Sequence, residues 1–359
     1  MLSCDCSKFQ SSKNALGGLL ENFVYKNTVM NENDYGIRNG KGFWIPNELL
    51  IPKPVLKDIF NLNKIFKNIF GFPGYLFPYN ILWFFIALII WFYFTPDMKT
   101  MKNFNYDWCF FIYFRNAVII FLYTSFFHIY LYVFKSQGNN FKYNLNPLEN
   151  NSSKFIFKNQ FFDNLIWTFL SAVTIWSAYE IIFFWLFSNG YIMIINFESN
   201  PIYFILLFLL IPIFHSLHFY FIHRLLHTKI LYRIAHKIHH HNNNPGPWSG
   251  LSMHPIEHIL YFSGVFIYLL IPAHPFLILY HIFYAGITPN AGHSGYDKII
   301  FKNGKWLPCG DYMHYLHHKY FECNYSSGNT TFLDYIFNTF HDGSEISTKK
   351  TLNRMRQKT

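Results

Sequence analysis

The chain has 359 residues, of which 52% are hydrophobic, 22% aromatic and only 13% charged, a balance that excludes an ordinary soluble domain and points to a membrane protein. Its formal charge of +10 favours contact with anionic lipid headgroups, and no basic stripe with a nucleic-acid motif accompanies it, so nucleic acid is not an expected partner. The five cysteines are odd in number and irregularly spaced; they imply no disulfide framework, and Cys4-Asp5-Cys6 is too isolated for a zinc site.

Residues 1–70 read as a polar arm rich in lysine, and the first 20 residues lack the apolar core of a cleavable signal. Within the arm, the stretch 55–70 sets Leu56, Ile59, Phe60, Leu62, Ile65, Phe66 and Ile69 among lysines, the spacing of an interfacial amphipathic helix. A transmembrane region is expected over 71–222, with charge-free runs at 71–95, 116–134 and 199–222 and a fourth, 161–187, interrupted by Asp163 and Glu180. A helix crosses the hydrocarbon with about 20 residues. The run 259–296 is longer than that but is broken by Pro272, Pro275 and Pro289, so two passes or a bent hairpin near 259–290 are expected. Segment 137–153, rich in asparagine, reads as a loop. Basic residues concentrate in 135–160, in 224–237 and in the basic tail within 343–359. Four spans starting from a cytosolic N-terminus place all of these on the cytosolic side, with the C-terminus.

Eighteen histidines are present, and three tight groups stand out: His223 and His227 in H-x3-H, His236, His239 and His240 in H-x2-H-H, and His314, His317 and His318 in H-x2-H-H. On a helix, positions i, i+3 and i+4 share a face, so each group can aim two or three imidazoles at one point. His254, His258 and His293 lie between the groups. Imidazole suits iron, zinc, copper or nickel, but zinc carries no redox chemistry and is satisfied by four ligands, so a site this rich favours a redox pair of irons. Isolated histidines such as His128, His215, His218, His274, His281 and His341 are read as surface or satisfied core residues. The H-E-x-x-H motif of zinc proteases is absent.

These motifs resemble the fatty acid hydroxylase superfamily, in particular its sterol desaturase branch (sterol C-5 desaturase and C-4 methyl sterol oxidase). The matching pieces are the three histidine groups, Pro245, Met253-His-Pro255, Gly292-His-Ser-Gly-Tyr296, Asn324-Tyr325 and the ending Thr331-Phe-Leu-Asp-Tyr-Ile-Phe337, in which Tyr335 is displaced by one. The likeness covers about residues 160–342, with weaker likeness upstream at Arg115-Asn116 and Trp176-Ser-Ala-Tyr-Glu180. It implies an all-α integral membrane fold of four or more transmembrane helices, with a cytosolic His-rich cap over 223–342 holding two non-haem irons. It implies O2 as co-substrate and electrons from NAD(P)H through cytochrome b5 and its reductase. No fused b5 domain is visible, so the donor is expected to be a separate protein.

Carried over residue by residue, the resemblance assigns metal ligands to His223, His227, His236, His239, His240, His293, His314, His317 and His318, with His254 as a tenth. His258 stands lower, because sterol C-5 desaturases often lack a histidine there. Glu257 and Asp297, and at lower rank Asn290 and Asn324, are candidates to orient imidazoles. The reaction implied is hydroxylation or desaturation of a membrane lipid, a sterol first, in the endoplasmic reticulum. A hydroxylase of fatty acyl, sphingolipid or ether-lipid chains, or a metal-free lipid-binding scaffold, are the alternatives.

Overall fold

The computed structural model describes residues 30–48 and 61–358. The first part of the expected interfacial helix lies outside the described residues; its remainder is α1 (Leu62–Phe70), whose Leu62, Phe66 and Phe70 form an exposed apolar row at helical spacing. Among the described residues, four helices are long and apolar enough to cross a membrane: α2 (Leu76–Tyr93), α3 (Tyr106–Val133), α4 (Gln160–Ser188) and α5 (Pro201–Leu226). The apolar side chains that they turn outward include Phe85, Phe92, Phe114, Phe121, Leu206 and Leu210, the reverse of a water-soluble bundle.

Beyond the spans, a short helical stretch α6 covers residues 229–240, with its middle turn, Tyr232–His236, wound as a π-helix. The proline-broken run folds as a hairpin of α7 (Pro255–Leu269) and α8 (Pro275–Gly292). Pro255 and Pro275 each sit in the first helical turn, where the missing N–H costs nothing. Almost every side chain of α8 is buried, and this helix touches all four spans, so it is the axis of the bundle. The approach is close: a Cβ added to Gly286 would come within 2.6 Å of the Trp176 ring.

One buried ion pair joins two of the spans. Arg115 on α3 is salt-bridged to Glu180 on α4. Asn116 donates to the second Glu180 oxygen at 3.0 Å and to the Ser177 hydroxyl at 3.1 Å, and Arg115 also donates to the Phe94 carbonyl at 2.9 Å. The upstream positions with weak family likeness are thus one polar cluster.

On one side of the bundle lies the cap: α6, the hairpin β3 (His293–Ile300) and β4 (Trp306–Gly310), α9 (Tyr312–Tyr320), α10 (Thr331–Ile336) and α11 (Glu345–Lys358). A second small hairpin, β1 (Gly36–Arg38) and β2 (Trp44–Pro46), docks on it, with Trp44, Phe141, Tyr143, Ile300, Tyr312 and Leu316 in one cluster. The described residues 36–46 and the loop after α3 therefore sit beside the cap. The fold is mostly helical, and two features depart from the sequence reading. Two short hairpins are present, and the C-terminal tail is a helix.

Candidate metal centre

Nine histidines converge in two sets. The first holds His223, His227, His236, His240 and His317; the second holds His239, His293, His314 and His318, and in each the candidate ligand nitrogens lie within 4.8 Å of one another. Helix geometry explains the sorting. Residues i and i+4 lie about 40° apart around a helix, whereas i+3 and i+4 lie about 100° apart. The i, i+4 pairs His223/His227 and His236/His240 therefore enter the first set together, and His314/His318 enters the second. The i+3 members, His239 and His317, cross over, each joining the set built on the other helix. Each H-x2-H-H group thus aims two imidazoles at one point and its third at the neighbouring point.

Main-chain carbonyls fix the tautomers. Nδ1 of His223 donates to the Tyr325 carbonyl at 2.8 Å, that of His317 to Cys323 at 2.6 Å, that of His293 to Pro289 at 2.7 Å and that of His239 to Ser252 at 3.3 Å. Nδ1 of His236 donates instead to Glu257 Oε1 at 2.7 Å. When Nδ1 of a neutral imidazole donates, Nε2 keeps its lone pair. His239 and His293 point such nitrogens at each other across 3.4 Å, and His314 and His318 approach His293 Nε2 at 3.0 and 3.1 Å. In the first set, His227, His236, His240 and His317 are spaced at 3.1–3.2 Å. Facing lone pairs repel unless a cation lies between them. The donor set thus fits two metal ions, and as all-imidazole ligation it suits a transition metal.

Burial keeps the rings neutral. His293 is pushed down to about 4 and His317 to about 3, burial being the main cause in both, and His239, His240, His314 and His318 are held well below the ordinary histidine value by burial and by their histidine neighbours. The consequence for the metal-free protein has a definite sign. The unfolded chain takes up protons near 6.5, while folded His293 takes one up only near 4. Stability is therefore full above 6.5 and is lost as pH falls through that window. Thermal melts of metal-free protein should fall steadily from pH 7 to pH 4, and a flat profile would contradict the burial of neutral rings.

A further layer holds the carbonyls. Asp334 accepts from the Tyr325 N–H at 3.0 Å, the Ser326 N–H at 2.9 Å and the Thr339 hydroxyl at 2.5 Å, and from the Ser326 hydroxyl. It fixes the loop whose carbonyls orient His223 and His317. Asn242, just past α6, accepts from Gln160 at 2.9 Å and Asn164 at 3.0 Å, which ties the second histidine group to α4. Gly295 adopts a φ of +79° beside a bulge in β3, and an added Cβ would meet the Tyr132 hydroxyl at 2.5 Å. Sequence reasoning missed Asp334, Gln160, Asn164 and Asn242. The only signal was the family-like ending that contains Asp334.

His254 joins neither set. It caps α7, accepting from the Ile256 N–H at 3.2 Å, with its ring against Trp167. His258 is buried toward α4, its Nδ1 2.7 Å from the Ser171 hydroxyl. Asp297 is engaged by the Tyr143 hydroxyl at 3.2 Å and by Lys298 at 3.4 Å, so it orients no imidazole. Asn324 braces the loop by donating to the Met313 and His341 carbonyls, and Asn290 donates within α8. Glu257 is the candidate carboxylate that meets a ring. Replacing it with glutamine should weaken metal retention about 10–100-fold, read as metal loss to a chelator over time.

A cavity of about 340 Å³ opens beside both sets. His223, His236, His239, His293 and His314 form one wall, and Trp83, Tyr123, Phe219, Tyr261 and Tyr284 from the bundle form the other. Its lining is largely apolar, with Glu257 and His215 among the polar groups facing it.

Residues 208–339 match the family model described as fatty acid hydroxylase. A Delta(7)-sterol 5(6)-desaturase ERG3B of Gibberella zeae is 34% identical over 122 residues, covering 33% of this chain and 36% of that protein. Methylsterol monooxygenase 1 of Gallus gallus is 31% identical over 142 residues, covering 39% and 47%. Very-long-chain aldehyde decarbonylase CER1 of Arabidopsis thaliana is 28% identical over 182 residues, covering 47% and 27%. The chain thus spans less than half the length of each of these curated relatives, and no solved structure matches it. The segment that matches the fatty acid hydroxylase model contains all nine converging histidines.

Proposed function

We propose that the protein is a membrane-bound oxidoreductase that uses O2 to hydroxylate or desaturate a lipid, with a sterol as the substrate class. Two irons held by the nine histidines are the resident metals, and electrons come from NAD(P)H through a separate cytochrome b5. The observation that carries the reading is the pair of all-histidine sets facing an apolar cavity among membrane helices. The relatives named as a sterol desaturase and a methylsterol monooxygenase support the substrate class. The aldehyde decarbonylase likeness keeps long-chain lipids as a second reading. A metal-free scaffold leaves nine convergent imidazoles without a purpose.

Iron, when bound, supplies O2 activation and abstraction of hydrogen from an unactivated C–H bond. The chain does the rest. The apolar wall holds the lipid and excludes water, and the carbonyls and Glu257 keep the ligand nitrogens deprotonated and aimed. Hydroxylation places one oxygen atom in the lipid and the other in water, and consumes two electrons and two protons. Desaturation removes two hydrogens from the lipid and, with the same electrons and protons, reduces both oxygen atoms to water. An endoplasmic reticulum location with the cap cytosolic fits a cytosolic electron donor.

Lipid mass spectrometry of cells with and without the chain, under 18O2, tests this. A new product carrying 18O supports hydroxylation, and loss of two hydrogens without label supports desaturation. An unchanged lipid profile from protein holding two irons would overturn the proposal.

A further inference from the structure

We propose that reductant reaches the paired histidine sites from a face separate from the lipid cavity, through a basic patch beside His227 that fits an acidic one-electron carrier protein. This deepens the oxidoreductase reading above and rests on it.

Of the nine histidines, eight are buried and His227 alone is partly exposed. It does not line the lipid cavity. It lines instead a pocket on the surface, together with Lys229, Tyr232, Arg233, Lys237 and Phe321. The three basic residues recur every fourth position along α6, so they form one stripe, and all three are exposed. The same helix turns His236 and His240 inward to the first set. Behind His227, one layer of aromatic rings lies between this surface and the buried His240. Tyr232 lies 5.7 Å from the ring centres of both His227 and His240, and Phe321 stacks on His240 at 4.7 Å. Glu322, the acidic member of the lining, accepts a hydrogen bond from the Tyr325 hydroxyl at 2.8 Å.

Electron tunnelling weakens steeply with distance, so a carrier docked elsewhere on the cap would face a thicker barrier. Basic rims speed association with acidic partners and make it salt-dependent. Two successive one-electron deliveries match the two electrons that each turnover requires. Because the cavity and the patch present different histidines, lipid and carrier can be bound together. A stripe that served anionic lipid headgroups would have no reason to frame the exposed ligand.

The test needs no knowledge of the lipid. Full-length protein loaded with iron in nanodiscs is mixed, without O2, with the reduced soluble haem domain of a cytochrome b5, and haem oxidation is followed by stopped flow. The triple variant Lys229→Glu, Arg233→Glu and Lys237→Glu should lower the second-order rate about tenfold at low salt and flatten its salt dependence. Reduction of the same variant by dithionite should match the wild type, which shows that its site is intact. A double reversal at Lys302 and Lys305, on the turn between β3 and β4, should change the rate by less than about twofold. A haem oxidation rate equal in the triple variant and the wild type overturns the patch and assigns the stripe to lipid headgroups. Wild-type protein that dithionite cannot reduce overturns instead the oxidoreductase reading on which the patch depends.

Discussion

His239→Ala should hold about one metal per chain in place of two and form no lipid product. His239 belongs to the four-member set, so the substitution leaves that set with three nitrogens, from His293, His314 and His318. Removing a group that merely orients a ligand already costs about 10–100-fold in affinity, so losing the ligand itself should cost more. Elemental analysis of the purified chain gives the metal count, and lipid mass spectrometry gives the product. His254→Ala is the matched control. That ring caps a helix and joins neither set, so two metals should remain and stability should fall by only about 1 kcal/mol. Equal metal loss in both variants would show that the nine-histidine grouping is wrong.

Glu180→Ala should destabilise the bundle by about 3–5 kcal/mol, because it leaves the Arg115 guanidinium buried among the spans without its counter-charge. Asn116 loses an acceptor at the same time. The double change Arg115→Met with Glu180→Ala removes both charges and should recover most of the loss, since well-packed apolar pairs often match buried ion pairs. Thermal unfolding in detergent, followed through tryptophan fluorescence, compares the three proteins. A single variant as stable as the wild type would mean that the pair is solvated.

Much of the site could be read from the chain before its structure. The three histidine groups are local patterns on helices, and helical spacing is a short-range property. The partition between two sets was not legible, because it depends on how α6 and α9 face each other across the cap. His254 was misplaced for a related reason. A histidine before a proline in a family-like motif reads as a ligand, yet here its Nδ1 caps α7 and the ring joins neither set. Glu257 was legible from its place between His254 and His258 in a family-like motif, while Asp334 acts through two carbonyls and leaves no pattern of its own. The spans announced themselves through the absence of charge, and Glu180 within one of them found its partner 65 residues away. The β hairpins are short and partly aromatic, and nothing local separates them from loop.

The position of α8 also bears on how the protein is made. The four spans precede it in the chain, and it packs against every one of them. They must therefore keep a slot open along the bundle axis while translation continues through residue 292. Until α8 fills that slot, His215 lacks the His281 and Tyr284 rings that pack on it, and Tyr261 lacks the Ala285 carbonyl that its hydroxyl donates to. A ribosome stalled before residue 275 would hold a bundle with an unfilled centre, the kind of intermediate that membrane quality control removes.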